Sequence, residues 1–329
     1  MVVLTPPGQE DMLPLDGLQD VADVRVADSV EGLTRALDGA DVLFLADFRT
    51  HLLALAWPSA RDLRWIQTGS IGVDAVLIPE VVGSDVVVTN TRGVFEQPIA
   101  EYVLAVLLAF AKDLPRTLEL QARREWSHRE SQRLRGRRMV VLGAGPLARE
   151  IVLLARAVGV HVDVVGRRAR DGEPGIGAVH AIGDLDPLLA RADIVVLALP
   201  LTKDTHRLLD ADRLGRVRPG AWLVNVGRGA TVDEDALIAA LGTGQVAAAA
   251  LDVFDVEPLP PEHPLWHTKN VVISPHMSGD LVGWEDEVVR HFLENLERWR
   301  AGDPLRDVVD KTGFQREAAP RPRAGGGTA

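Results

Sequence analysis

The most informative segment of the chain for its fold is "VVLGAGPLAREIVLLARAVGVHVDVVGRRAR", residues 140–170. A short apolar run ends at Gly143, and the pattern Gly143-Ala-Gly145-Pro-Leu-Ala148 leads directly into a helical pattern. In a dinucleotide-binding unit the first glycine permits a tight turn and the second lets the backbone approach a pyrophosphate. The helix N-terminus then offers N–H groups and the positive end of its dipole to the phosphate. The stretch predicts such a turn, and an ordinary strand-to-helix turn is the alternative.

The end of the next predicted strand indicates which dinucleotide would bind. That strand ends at Val165, about 20 residues after the turn, where an acidic residue would hold the ribose hydroxyls of NAD. Gly166, Arg167 and Arg168 stand there instead, with Arg170 close by. Guanidinium groups can pair with the oxygens of a 2′-phosphate. We therefore predict NADP as the preferred cofactor with NAD possible, and the alternative is that these arginines belong to a solvated turn.

Short apolar runs and helical patterns alternate along the chain, which is typical of parallel sheets buried on both faces. Two series of strands are predicted, at 2–5, 23–27, 41–47, 63–68 and 85–90, and at 139–143, 160–166, 193–200, 221–227, 248–254 and 270–276. This pattern predicts an α/β fold with two doubly wound parallel-sheet domains, one flavodoxin-like and one Rossmann, with a cleft between them.

An amphipathic helical pattern at 283–302 follows the second series, and we expect it to return to the first domain. The predicted organisation is a discontinuous substrate domain, residues 1–94 and 281–312, and a dinucleotide-binding Rossmann domain, residues 95–280. The segment 313–329 is rich in Pro, Gly, Ala and Arg and lacks apolar periodicity, so it is predicted to be a disordered tail.

Composition narrows the function classes. The 329 residues contain no cysteine, which excludes disulfides, thiolate nucleophiles and cysteine-based metal sites. The net charge of −11 argues against nonspecific nucleic-acid binding, which needs clustered cations. No apolar run is as long as a membrane span, and the N-terminal apolar run has no basic flank. We expect a cytoplasmic protein with no metal site and no nucleic-acid or membrane partner.

Three stretches place reactive side chains at predicted strand ends. Arg228 lies in "LVNVGRGATVDEDAL", Asp252 and Glu257 lie in "ALDVFDVEP", and His276 lies in "ISPHMSG". Ligands bind at the carboxyl ends of parallel strands, where an arginine can clamp a 2-oxo acid. An imidazole there can give a proton to the developing oxyanion, and a nearby carboxylate favours its charged form. Considered one at a time, these side chains have other possible roles: His276 as a structural histidine, Arg228 as a solvated arginine and Glu257 as a turn residue.

With these motifs the chain resembles the D-isomer-specific 2-hydroxyacid dehydrogenases from about residue 40 to about residue 300. The resemblance rests on the glycine-rich turn, the three stretches above, "GSIGVD" (69–74) and "LPLTKDTHRLLD" (199–210). His276 is followed by Met-Ser-Gly, which looks like the glyoxylate/hydroxypyruvate reductase branch. Two departures are Ala148 in place of the third glycine and the missing acidic residue after the second Rossmann strand.

The resemblance implies a reductase of a small 2-oxo acid, or dehydrogenase of a D-2-hydroxy acid, with Arg228, Glu257 and His276 as its catalytic residues. It implies that the backbone N–H groups of Ser70, Ile71 and Gly72, with Arg228 and His276, bind the substrate. Asp252 would hold the nicotinamide carboxamide, and the helix that starts near Pro98 would help to build a homodimer. The other implied cofactor contacts are Gly143, Gly145, Pro146, Leu147, Leu199, Pro200, Thr205, Val226, Gly227, Arg228 and His276.

Other functions stay open on the same fold. Formate oxidation is one, although that branch leads us to expect Gln where Glu257 stands. Phosphoglycerate oxidation is a second, and the long forms of that branch carry an added regulatory domain that we do not expect in this chain. A non-catalytic, dinucleotide-sensing regulator is a third, from a different functional class.

Overall fold

The computed structural model describes residues 1–8, 18–19, 22–46 and 51–311, so the predicted disordered tail lies outside it. The chain divides into unit 1, Met1–Thr91 with Val288–Ala329, and unit 2, Arg92–Glu287. The predicted limits of the two domains stay predictions. None of the helices in these described ranges is both long and apolar enough to span a membrane.

Unit 1 is built on a five-stranded sheet in which every neighbouring pair is parallel, in the order β2-β1-β3-β4-β5. This is the order of flavodoxin-like folds, as predicted. The central strands are apolar and wholly buried because helices must cover both faces of such a sheet. The strands are β1 (Val2–Leu4), β2 (Arg25–Ala27), β3 (Val42–Leu45), β4 (Trp65–Thr68) and β5 (Val87–Thr89).

The helices of unit 1 bury one apolar face each against this sheet. Ser29 caps the first of them by accepting a hydrogen bond from the N–H of Gly32 (3.3 Å). Phe292 of the last helix stacks on Phe44 of β3, with ring centroids 4.3 Å apart. The helices are α1 (Val30–Leu37), α2 (Leu52–Ala56), α3 (Pro79–Val82) and α10 (Trp284–Ala301), of which α10 begins in unit 2.

Unit 2 is built on an eight-stranded sheet in the order β13-β12-β11-β10-β6-β7-β9-β8. The order reverses between β6 and β10, which is the switch point at which Rossmann folds bind dinucleotides. The strands are β6 (Arg138–Leu142), β7 (His161–Gly166), β8 (Arg170–Glu173), β9 (Gly177–Ala181), β10 (Ile194–Leu197), β11 (Ala221–Asn225), β12 (Val246–Leu251) and β13 (Val271–Ile273).

The sheet of unit 2 has apolar layers on both faces. In β6, Met139 and Val141 pack into one layer, and Val140 and Leu142 pack into the other. The helices that cover the faces are α4 (Glu96–Ala111), α5 (Leu114–Arg123), α6 (Pro146–Ala157), α7 (Leu185–Leu189), α8 (Ala211–Arg216) and α9 (Glu234–Thr243). The strands other than β8 pair in parallel, so their carboxyl ends lie along one edge of the sheet.

The predicted α/β class with parallel sheets is confirmed, and one element differs from expectation. The edge strand β8 runs antiparallel to β9, so the second sheet is not purely parallel. The segment "RDGEPGIGAVHA" gives no strand signal because it carries three glycines. Gly172, Gly175 and Gly177 all have positive φ, which permits the tight hairpin between the two strands.

Candidate functional site

The glycine-rich turn lies between β6 and α6. Gly143 has φ +123°, and a Cβ on it would lie 2.4 Å from the carbonyl oxygen of Ala198, so only glycine fits there. Gly145 is the N-cap of α6, no side chain caps the helix, and a Cβ on Gly145 would meet nothing within 4 Å. The first N–H groups of a helix have no intrahelical acceptor. The turn thus presents uncapped amides beside open space, which suits a phosphate group.

Arginines line the end of β7, next to this turn. A Cβ on Gly166 would lie 3.2 Å from the Cβ of Ala144, so the end of the strand touches the turn. Arg167 and Arg168 are exposed, and within the described part of the chain neither guanidinium takes part in an ion pair or hydrogen bond. Arg170 instead pairs with Glu173 and donates to the carbonyl oxygen of Ala144 (3.2 Å). Two uncommitted cations therefore flank the turn.

Two further loops meet at the ends of β10 and β11. A Cβ on Gly227 would lie 2.8 Å from the carbonyl oxygen of Leu199, which shows how closely the loops approach. The hydroxyl of Thr205 donates to the carbonyl oxygen of Pro200 (2.7 Å) and accepts from the N–H of Thr202 (2.8 Å). The predicted cofactor contacts Leu199 and Gly227 are thus adjacent, and Thr205 shapes the loop that carries Leu199.

Arg228 follows β11 in a turn fixed by a buried amide. Asn225 donates from Nδ2 to the carbonyl oxygen of Arg228 (3.0 Å) and accepts the N–H of Gly227 at Oδ1 (3.1 Å). The hydroxyl of Thr231 donates to the same carbonyl oxygen (2.6 Å). The guanidinium of Arg228 donates to the carbonyl oxygen of Gly227 (2.7 Å). The backbone beneath this cation is therefore rigidly held.

The turn of Arg228 is packed against the loop that carries Glu257. A Cβ on Gly229 would lie 1.8 Å from the carbonyl carbon of Phe254, so two backbone segments touch there with no side chain between them. Glu234, in the first turn of α9, accepts the N–H of Asp255 (2.9 Å). These contacts fix the loop after β12 relative to Arg228.

Glu257 and His276 form a hydrogen-bonded pair in the candidate site. Oε2 of Glu257 lies 2.7 Å from Nδ1 of His276, and Oε1 accepts the N–H of Phe254 (2.8 Å). Burial acts to raise the pKa of Glu257, but the hydrogen bonds from His276 and Phe254 and the charges of His276 and Arg228 outweigh it. The net effect lowers the pKa of Glu257 below its ordinary value. The carboxylate is thus held ionised beside an imidazole.

The backbone of His276 adopts an uncommon conformation. Its φ is +53°, in the left-handed region that residues other than glycine rarely occupy. Its N–H donates to the carbonyl oxygens of Asp252 (2.8 Å) and Ser274 (3.1 Å). The carboxylate of Asp252, only 1% exposed, accepts the N–H groups of Met277 and Ser278 (both 3.0 Å). Such local strain persists where surrounding contacts over-determine it, and it is common at functional sites.

Asp252 has a further donor, the hydroxyl of Ser274 (2.6 Å), so three hydrogen bonds reach its two oxygens. A carboxylate offers about four acceptor positions, which leaves room for one more donor. The expected contact of Asp252 with a nicotinamide carboxamide stays a prediction. What the structure adds is that Asp252 organises the loop that carries His276.

The predicted substrate loop, Ser70–Gly72, lies in unit 1 after β4. Ser70 is anchored through its carbonyl oxygen, which accepts the N–H of Thr91 (3.1 Å), and through its hydroxyl, which donates to the carbonyl oxygen of Gly72 (2.8 Å). Ile71 is anchored by the side chain of Asn90 (2.7 Å). The N–H of Ser70, also predicted to bind the substrate, donates instead to the hydroxyl of Thr68 (3.3 Å). Within the described ranges the N–H groups of Ile71 and Gly72 donate no hydrogen bond. The loop is firmly held, and these two amides are available to an acceptor.

Unit 2 thus brings together Arg228, Glu257 and His276 at one edge of its sheet. Several supporting residues were not predicted, and they are Asn225, Glu234, Ser274 and Tyr102, whose hydroxyl lies 2.7 Å from that of Ser274. Only Ser274 had a local signal, its place in "SPH". No group of three or more His, Asp or Glu residues in the described part of the chain could hold a metal ion. The arrangement offers a cation, a carboxylate–imidazole pair and an anion-binding turn.

Comparisons with known proteins show the family to which the chain belongs. The family model described as D-isomer specific 2-hydroxyacid dehydrogenase, NAD binding domain, matches residues 104–278. Glyoxylate reductase from Thermofilum pendens is 33% identical over 312 residues, which cover 90% of this chain and 91% of that protein. Glyoxylate/hydroxypyruvate reductase B from Pectobacterium atrosepticum is 35% identical over 259 residues, which cover 76% of this chain and 80% of that protein.

Solved structures are similar over nearly the whole chain. The crystal structure of a D-isomer specific 2-hydroxyacid dehydrogenase from Xanthobacter autotrophicus Py2, in complex with NADPH and MES, superposes with a TM-score of 0.80. It is 30% identical, and the match covers 94% of this chain and 98% of that one.

Proposed function

Because the chain belongs to the D-isomer specific 2-hydroxyacid dehydrogenase family, we propose that it reduces a small 2-oxo acid to a D-2-hydroxy acid with a reduced nicotinamide cofactor. The observation that carries this proposal is the 2.7 Å contact between Glu257 and His276, with the charge of Arg228 acting on the same carboxylate. The similar proteins named as glyoxylate and glyoxylate/hydroxypyruvate reductases support a small acid as substrate.

The residues at the switch point fit a dinucleotide. Gly143 and Gly227 lie where any Cβ would strike backbone, and the uncapped start of α6 suits the pyrophosphate. When bound, the nicotinamide supplies the hydride that the substrate carbon accepts. The phosphates would be held by Gly143, Gly145, Pro146 and Leu147. The rest of the dinucleotide site would be lined by Leu199, Pro200, Thr205, Val226 and Gly227.

The side chains of unit 2 then supply the proton and the charge stabilisation. The guanidinium of Arg228 binds the carboxylate and the carbonyl oxygen of the acid. His276, held at Nδ1 by Glu257, gives a proton from Nε2 to the carbonyl oxygen as the carbon accepts the hydride. One hydride and one proton thus convert the ketone to the alcohol. Glu257, whose pKa is lowered, stays ionised and holds the ring of His276 through Nδ1.

In unit 1 we propose that the N–H groups of Ile71 and Gly72 bind a carboxylate. Two adjacent amides that have no acceptor among the described residues, on a loop held by Thr91 and Asn90, would make a preorganised anion site.

We propose NADP as the preferred cofactor, with NAD accepted more weakly. The uncommitted guanidinium groups of Arg167 and Arg168 stand where an acidic residue would select NAD. The NADPH complex of the similar Xanthobacter protein supports this choice. Arg170, tied to Glu173 and Ala144, would contribute by shaping the turn.

The proposal is tested by following the absorbance of NADPH and NADH with glyoxylate, hydroxypyruvate, pyruvate and a bulkier 2-oxo acid. We expect turnover that prefers NADPH and the smaller acids. Formate and phosphoglycerate, each offered with the oxidised cofactor, test the other two reactions of this fold. Dinucleotide binding without turnover of any acid would refute the proposal in favour of a sensing regulator.

The role of His276 has a matched control. His276→Ala should lower kcat by about a hundred- to ten-thousandfold, the usual contribution of a general acid, while cofactor affinity is kept. His161, exposed at the start of β7, provides the control, because His161→Ala removes an imidazole outside the predicted site. Unchanged kcat in His276→Ala would refute the assignment.

We also propose a homodimer, as the resemblance implies for the helix that starts near Pro98 (α4), and we propose that the surface of the following helix, α5, extends the interface. Trp126 is fully exposed, and Leu114 and Leu118 are 47% and 63% exposed on the preceding helix. Leu114 and Leu118 are four residues apart and so share one face of α5, and exposed apolar surface of this kind marks protein interfaces. Light scattering should give the mass of two chains, and Leu118→Ser with Trp126→Ser should give one. Leu153→Ser, on the exposed face of α6, is the control, and a monomeric wild type would refute the dimer.

A further inference from the structure

A chain of three polar side chains connects α4 to the loop of His276. The hydroxyl of Ser274 donates to Oδ1 of Asp252 (2.6 Å), which uses its single proton. The Tyr102 hydroxyl, 2.7 Å from the Ser274 oxygen, must therefore be the donor in that contact. The direction of the chain is thus fixed: Tyr102 donates to Ser274, which donates to Asp252.

Asp252 transmits this restraint to the backbone around His276. Its carboxylate accepts the N–H groups of Met277 and Ser278, and its carbonyl oxygen accepts the N–H of His276. The left-handed conformation of His276 needs such restraint, because a side chain is rarely tolerated there. In this conformation the imidazole lies 2.7 Å from the carboxylate of Glu257.

The same face of α4 supports the far end of the loop. A Cβ on Gly279 would lie 3.2 Å from Cδ1 of Phe95 and 3.3 Å from Cγ1 of Ile99. The positions 95, 99 and 102 are spaced to lie on one side of a helix. The loop from Ser274 to Gly279 therefore rests on α4 at both ends, with apolar contacts at one end and a hydrogen bond at the other.

Tyr102 is placed for this role by its environment. Burial raises the pKa of Tyr102, and the charge of Asp252 adds to that effect, while the hydrogen bond with Ser274 opposes it. The phenol is thus kept as a neutral hydrogen-bond donor. It is also the only tyrosine of the chain, so no other phenol can substitute for it.

We infer that Tyr102 is a positioning residue of the proposed reaction: through Ser274 and Asp252 it holds the backbone of residues 276–278, and with it the imidazole that faces Glu257. The kinetic consequence rests on the proposed function. The restraint on the backbone does not, so the two can be tested apart.

The test variant is Tyr102→Phe, which keeps the ring and removes the donor. Amide hydrogen exchange at Met277 and Ser278 should become about two- to tenfold faster, which corresponds to the net stabilisation by one hydrogen bond. In the same variant kcat should fall about tenfold with the KM for NADPH unchanged, because small displacements of a reacting group are costly.

Two further variants separate positioning from general stability. Ser274→Ala should reproduce both effects, and adding Tyr102→Phe to it should change neither further, since the path is already broken. Phe110→Leu removes an aromatic contact of α4 with Trp222, whose ring lies 5.8 Å away, and should lower Tm without changing exchange or kcat.

Each outcome bears on the inference. Unchanged exchange and unchanged kcat in Tyr102→Phe would overturn it and leave Tyr102 as a core residue. A loss of kcat that adds fully to that of Ser274→Ala would overturn the proposed path. Faster exchange in an enzyme that turns over no 2-oxo acid would support the positioning and refute the proposed function.

Discussion

The closest approach of two backbone segments in the site gives the sharpest prediction, for Gly229→Ala. The added Cβ would lie 1.8 Å from the carbonyl carbon of Phe254 and 2.1 Å from its oxygen. Carbon atoms in van der Waals contact are about 3.5–4.0 Å apart. The two segments would therefore have to separate by about 2 Å, and no side chain is present that could rotate away.

Overpacking of this kind costs about 1–3 kcal/mol, and more where backbone must move. We expect the upper end, about 3 kcal/mol, for Gly229→Ala. In a unit of roughly 200 residues each kcal/mol lowers Tm by about 2–4 °C, so the variant should melt about 6–12 °C lower. Circular dichroism during heating measures this shift.

The same displacement should reduce activity beyond the effect on stability. The residue that must move, Phe254, also carries the N–H that binds Oε1 of Glu257 at 2.8 Å. Glu257 would shift with it, and the 2.7 Å contact with His276 would be lost. A misplacement of about 1 Å can cost a hundredfold in rate. We expect a loss of that order in kcat for NADPH-dependent reduction, measured well below the lowered Tm.

Gly242→Ala is the matched control. Gly242 is exposed in α9, and a Cβ there would meet nothing within 4 Å. Alanine in a helix is favoured over glycine by about 0.5–1 kcal/mol, so this variant should be slightly more stable and fully active. If Gly229→Ala instead kept the wild-type Tm and kcat, the turn of Arg228 would not be packed against the Glu257 loop.

Three other perturbations have definite expected outcomes. Because the folded-state pKa of Glu257 is lowered, the stability advantage of wild type over Glu257→Gln should be present above the ordinary glutamate pKa. This advantage should vanish as the pH falls through the folded-state pKa of Glu257. If urea unfolding gave the same free-energy difference between the two proteins at every pH, the pairing with His276 would be contradicted. Replacing Arg167 and Arg168 by Ser should raise the KM for NADPH about tenfold and leave that for NADH unchanged, whereas equal KM changes would contradict a 2′-phosphate role. Lys311 donates to three backbone carbonyl oxygens of unit 1, so Lys311→Met should cost about 1 kcal/mol, and an unchanged urea midpoint would refute this.

The parts of the fold that could be predicted are those with a local cause. Apolar runs bounded by turn residues predicted the strands because a strand buried on both faces must be apolar throughout. The hairpin of β8 and β9 could not be predicted, because its strands are polar and glycine-rich and lie at the edge of the sheet. The observed strand orders are those of the flavodoxin-like and Rossmann folds that the alternation of strands and helices predicted.

The proximity of the candidate catalytic side chains was predictable for a similar reason. Arg228, Glu257 and His276 each follow a strand of one parallel sheet, and the carboxyl ends of such strands share an edge. Sequence position alone therefore placed them near one another. The direct pairing of Glu257 with Nδ1 of His276 depends on the shape of two loops, which no pattern in the sequence describes.

What holds those side chains could not be predicted, because the supporting contacts join distant parts of the chain. Tyr102 occupies a half-buried position in an apolar helix, where an aromatic residue is expected for packing alone. Its hydroxyl meets Ser274, which lies 172 residues further along, and no local signal marks either partner for the other. A candidate catalytic side chain can be identified from its residue type and its position after a strand. How precisely it is positioned depends on the residues that support it, such as Tyr102 and Ser274. The proposed reaction would therefore depend on α4, which carries none of the reacting groups, as much as on the loop that carries His276.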